Sequence, residues 1–181
     1  MKHLFVTSLL VLFTVVFLTA GIAGDKAANK YVGQKACAPC HKSDKIGGNQ
    51  YDVWHSSKHA QAYTALTTPA ADSIAKAGGS KTAAAKTAAC LECHALTADA
   101  ADPKDGVQCE TCHGAGSAYK TMAIMKDKVK AAAAGAITYA DNKAIEAKCV
   151  QCHNDKSPTF KGFKFEEHWA KIKHGPVVKK S

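Results

Sequence analysis

All eight cysteines of this 181-residue chain fall in four Cys-x-x-Cys-His pentads, at residues 37–41, 90–94, 109–113 and 149–153. Two thiols three positions apart share one side of a helical turn, and the residue after the second thiol sets an imidazole beside them. That is the attachment signature of c-type haem. In this reading Cys37 and Cys40, Cys90 and Cys93, Cys109 and Cys112, and Cys149 and Cys152 form thioethers to porphyrin, while His41, His94, His113 and His153 ligate iron. Structural zinc also takes paired Cys with His, but its ligand sets combine two separated pairs and need no His directly after each second Cys. Disulfide staples or a dithiol redox site leave the fifth-position His unexplained. The sequence therefore predicts four covalently bound haems.

The N-terminus reads as an export signal over residues 1–23. Lys2 and His3 make a basic start, an apolar run follows over 4–19, and Gly21-Ile22-Ala23 offers a small-x-small cleavage site. Thr7, Ser8, Thr14 and Thr19 dilute the run, which favours a removed leader over a retained anchor. Covalent haem attachment takes place outside the cytoplasm in bacteria and archaea, so leader and pentads point to one compartment, the periplasm.

The remaining residues, 24–181, fit one tetrahaem domain. Much of their apolar content is alanine, and phenylalanine is confined to Phe160, Phe163 and Phe165. Such a chain builds little conventional core, so the porphyrins must supply it. Abundant Ala and Lys, with no β-branched runs after the leader, predict a mostly α fold. Expected is a compact multihaem cytochrome c, helices and loops wrapped around four haems. Helices are expected over 50–66, 82–95, 117–134, 142–153 and 165–174, the fourth capped by Asp141. Breaks are expected at Gly47-Gly48, Pro69, Gly78-Gly79, 103–106, 114–116 and Pro158. The pentads start 53, 19 and 40 residues apart, so no fixed-period repeat organises the chain.

All 24 basic residues are lysine; without Lys2, 23 lysines face 15 acidic residues, a formal +8. Four haems would bring about eight propionates, and each ferric centre returns about one positive charge, which removes the case for a nucleic-acid partner. A lysine face remains suited to steering a protein redox donor or acceptor.

Beyond the four pentad histidines, residues 24–181 contain four others: His55, His59, His168 and His174. The count suits bis-histidine ligation of every iron, which gives a saturated, electron-passing centre. His55 and His59, four apart, share a helical face; His168 and His174, six apart, do not. Met122 and Met125 are alternative ligands but read as packing residues at helical spacing.

Several stretches resemble the cytochrome c-554 family: Tyr31-Val32-Gly33 before the first pentad, Trp54-x-x-Ser57-x-His59-Ala60, Cys109-Glu110-x-Cys112-His113-Gly114-x-Gly116-Ser117, and the closing segment from Phe163-x-Phe165-Glu166 to Ile172-x-His174. The resemblance implies a mostly helical tetrahaem electron carrier with haems in stacked pairs, and His59 and His174 as distal ligands. His55 lies outside the family motif, and one haem without a protein sixth ligand occurs in the family.

The expected function is thus periplasmic electron transfer between redox proteins of a respiratory chain, with no catalytic residues and no membrane insertion after processing. Two alternatives follow from the same residues. One is a small haem reductase, for example of nitric oxide, at a five-coordinate iron. The other is a homo-oligomer, an extracellular filament in which a spare histidine ligates a neighbour's haem.

Overall fold

The computed structural model describes residues 28–43 and 48–175; the leader over 1–23 lies outside them. Ten short α-helices and four 3-10 turns occur among these residues, with no strand. The helices are α1 (Ala38–His41), α2 (Gln50–His55), α3 (Ala62–Ala65), α4 (Pro69–Ala77), α5 (Ala88–His94), α6 (Cys109–His113), α7 (Met122–Met125), α8 (Lys128–Ala133), α9 (Asn142–Cys149) and α10 (Phe165–Ile172). The longest has nine residues. Helices this short are marginal alone in water and depend on what they pack against.

Protein packs against protein only sparingly. Among the described residues the buried hydrophobic side chains are Trp54, Leu66, Leu96, Tyr119, Phe165 and five alanines. One small cluster joins Leu66 of the turn after α3 to Ala75 of α4 and Ala84 of the 3-10 turn Ala84–Lys86. The Ala-rich stretch at 83–89 thus serves close packing: Ala84 is 1% exposed, and the turn carrying it touches both α4 and α5. Met122 and Met125, expected to pack, are instead exposed, because α7 is a single turn that leans on α8 and little else.

The rest of the fold is tied by polar groups reaching across the chain. The two most deeply buried large side chains are Gln108 and Glu110, 1% and 2% exposed. Glu110 accepts from the backbone N–H of Val32 at 3.0 Å, of Gly33 at 2.8 Å and of Gly116 at 2.6 Å. Gln108 accepts from the N–H of Gln34 at 2.8 Å and donates to the carbonyl of Asp102 at 2.8 Å. A buried carboxylate persists only when hydrogen-bonded, and here backbone donors supply the bonds. The segment leading into the first pentad is thereby fastened to the third. Gly116 must be glycine for this: a Cβ there would sit 2.8 Å from Glu110 Oε1 and 3.1 Å from Val32 Cγ2. Gly114 ends α6 at φ 80°, a conformation that favours glycine.

The expected helix over 50–66 breaks into α2 and α3. Ser57 Oγ donates to the carbonyl of Trp54 at 2.6 Å, and the carbonyl of His59 accepts from Val107 N–H at 2.9 Å, so neither continues a helical ladder. Pro69, expected as a break, instead opens α4: Thr68 caps it by accepting from Ala71 N–H at 3.2 Å, and proline fits the first helical position. The expected helix over 117–134 is two, because Asp127 accepts from Val129 and Lys130 N–H and starts α8. Asp141 caps α9 as expected, accepting from Ala144 N–H at 2.8 Å.

Candidate haem-binding site

Each pentad occupies a helical turn or the end of a helix. In the first, His41 N–H bonds to Cys37 O at 3.1 Å; in the fourth, His153 N–H bonds to Cys149 O at 3.0 Å. The second lies at the end of α5 and the third forms α6. This winding puts two sulfurs and an imidazole on one side of each turn.

The fold then brings the four pentads together in an order the chain does not follow. Cys37 lies close enough to Cys109 for the two thiols to shift each other's acidity, and His41 is close enough to His113 to depress its basicity. Cys93 likewise lies near enough to Cys152 to feel its charge, and His94 neighbours His153. Cys112 lies beside Cys149, and Tyr139 bridges that junction by donating to Cys112 O at 2.7 Å. First and third, third and fourth, and fourth and second pentads are therefore neighbours in space.

Histidine rings face one another at two places. His113 and His174 have ring centroids 6.1 Å apart. His153 lies 6.1 Å from His59 and 6.4 Å from His168, with Phe163 stacked on it at 4.8 Å. Two imidazoles bound on opposite sides of one metal ion, each through a bond of about 2.0 Å, have centroids about 6 Å apart. The His113–His174 and His59–His153 pairs stand at that separation. Among the described residues no group of three or more His, Cys, Asp or Glu side chains converges on a single ion-sized point.

The nitrogen chemistry agrees. His94 Nδ1 lies 2.9 Å from Ala62 O, His113 Nδ1 3.1 Å from Ile137 O, His168 Nδ1 2.8 Å from Lys164 O, and His174 Nδ1 3.0 Å from Ile172 O. A carbonyl only accepts, so each Nδ1 carries the proton and leaves the Nε2 lone pair for a metal. Burial lowers the pKa of His59, and neighbouring His153 lowers it further. Burial likewise lowers His113, against a raising bond from Ile137 and with help from His174 and His41; it lowers His153 together with His168 and His94. These rings are held neutral near pH 7, the form that binds metal.

Among the thiols, the neighbouring Cys109 thiol and burial push Cys37 up, while burial and Cys152 push Cys93 up to about 11. Burial, then Cys112 and Cys149, push Tyr139 up to about 12.

His59 is positioned from both sides. Trp54 Nε1–H donates to Val107 O at 2.7 Å, Ser57 Oγ accepts from His59 N–H at 3.2 Å, and His59 O accepts from Val107 N–H. The Trp-x-x-Ser-x-His spacing is thus a bracket for one imidazole. His55 behaves differently. It is exposed and stacks on Tyr51 at 5.6 Å and 15°, so its ring neighbours are Tyr51 and Trp54, not a pentad histidine.

Paired thiols followed by imidazoles, on a helical scaffold too thin to bury a core of its own, define a c-type cytochrome. Residues 36–114 match the family described as "Cytochrome c554 and c-prime", so this part of the chain is similar to the cytochrome c-554 family. The matched stretch contains the first three pentads, and the closing segment with His168 and His174 lies beyond it. Electron transfer at haem iron is the activity that this family indicates. Neither the curated proteins nor the solved structures contain a match. No described helix is long and apolar enough to cross a membrane.

Proposed function

We propose that this protein is an exported tetrahaem electron carrier that works between two redox proteins in the periplasm. Haem iron, when bound, supplies reversible one-electron storage; the chain supplies attachment, ligation and order. The observation that carries the reading is the packing of the four pentads into a row, first, third, fourth and second, with imidazoles facing at 6.1 Å on the third and fourth. Such a row suits passage of charge from one end of the molecule to the other. His41, His94, His113 and His153 are the proximal ligands in this account. His174 serves the third haem and His59 the fourth. His168, 6.4 Å from His153, whose other neighbour His94 belongs to the second pentad, is the candidate for the second haem.

A second reading is favoured by His55. Its ring lies on Tyr51, so the first or second iron keeps an open position, at which a small molecule such as nitric oxide can bind. Paramagnetic resonance of the purified holoprotein separates the two. Four low-spin irons indifferent to carbon monoxide fit a pure carrier; one high-spin, carbon-monoxide-reactive iron fits the reductase; absence of haem signals defeats both.

A further inference from the structure

His41 differs from the other pentad histidines in what holds it. At His94 and His113 the Nδ1–H partner is a backbone carbonyl. At His41 it is a side chain: Nδ1 lies 3.2 Å from Gln50 Oε1. The orientation of that amide is fixed by its other end, because Gln50 Nε2 lies 2.8 Å from the carbonyl of Gly175, which can only accept. The amine therefore faces Gly175, the oxygen faces His41, and His41 must carry its proton on Nδ1. Gly175 follows His174 directly, and His174 faces His113 of the pentad packed against the first. One amide at the start of α2 thus holds His41 and the carbonyl of the residue next to His174.

We propose that Gln50 is a positioning residue that sets the donor strength of His41 toward the first haem iron and straps the C-terminal segment so that His174 reaches the third. This rests on the tetrahaem reading above. A partner that accepts the Nδ1 proton raises the basicity of a ligating imidazole and so favours the oxidised metal. The amide is a mild acceptor; a carboxylate is a stronger one, and an aliphatic chain accepts nothing. Neither replacement can donate to Gly175.

The test is a reductive titration of holoprotein carrying Gln50→Glu or Gln50→Leu, followed optically with resolution of the four one-electron steps. Gln50→Glu should favour the oxidised form of one haem roughly tenfold, a downward shift of about 59 mV, and Gln50→Leu should move the same step upward. An added charge acting through space alone leaves Gln50→Leu silent, and that result overturns the assignment to His41. Both variants should also gain one high-spin, carbon-monoxide-reactive haem as His174 loosens; potentials that shift without it overturn the strap. Gln50→Met replaces Gln50→Leu if the latter does not mature. Unmoved potentials in variants with full haem content sink the whole proposal, whereas a parent protein with fewer than four haems sinks the tetrahaem reading instead.

Discussion

Glu110 is the residue whose loss should cost this fold most. Its carboxylate accepts from three backbone donors, at Val32, Gly33 and Gly116, and the side chain is 2% exposed. Hydrogen bonds to a charged acceptor contribute about 1.5–3 kcal/mol each, and a buried donor left without a partner costs about 1–3 kcal/mol. Glu110→Ala orphans three donors, two of them fully buried, which predicts a loss of about 4–6 kcal/mol. Total stabilities are usually about 5–15 kcal/mol, so the variant should be barely folded. Glu110→Gln keeps one acceptor oxygen but turns an N–H₂ group toward a donor, which predicts about 2–3 kcal/mol. The assay is guanidinium unfolding of purified holoprotein followed by far-ultraviolet circular dichroism, with haem content matched. A Glu110→Ala protein within about 1 kcal/mol of the parent would show that the clamp is incidental.

Other substitutions probe separate parts of the account. Replacing His174 with alanine should make one haem high-spin and reactive with carbon monoxide; an unchanged optical spectrum would remove it from the ligands. Trp54→Phe keeps the aromatic face but loses the bond to Val107 O. A loss of about 1 kcal/mol is expected, together with a broader signal from the haem that His59 serves; a stability unchanged within error argues against the bracket. Chain made in cells that lack haem attachment should show little helix by circular dichroism, since ten short helices share few buried hydrophobic side chains. A helical, cooperatively unfolding apoprotein would contradict that view of the core.

The helical winding of the pentads and the cap of α9 were legible in the sequence because they are written in local spacing. A pentad needs only a helical turn to gather two sulfurs and an imidazole, and Asp141 needs only three residues to cap α9. Helix boundaries were harder, since they depend on distant partners: the chain after α2 does not wind on to residue 66, because the His59 carbonyl turns to meet Val107, 48 residues on. Pro69 was read as a stop, although Thr68 before it converts the same residue into a start. The spatial order of the pentads was hidden for a similar reason. The first pentad is tied to the third by Glu110, a residue inside the third pentad that reaches back to Val32 and Gly33, and nothing in the periodicity of the chain marks that contact. The buried acid between two cysteines, followed by Gly114 and Gly116, was the available signal. Gln50 carried none, because an exposed-looking glutamine at a helix start resembles any other. The count of four spare histidines suggested full ligation, yet the stacking of His55 on Tyr51 shows that equal numbers do not guarantee facing rings.

Intact-mass measurement of protein matured in a host competent for haem attachment tests the central claim most directly. Thioether bonds at all eight cysteines predict a mass equal to the processed polypeptide plus four haems, unchanged by denaturant or by acid-acetone extraction. A mass equal to the bare polypeptide, or eight cysteines free to alkylate in that material, would contradict it.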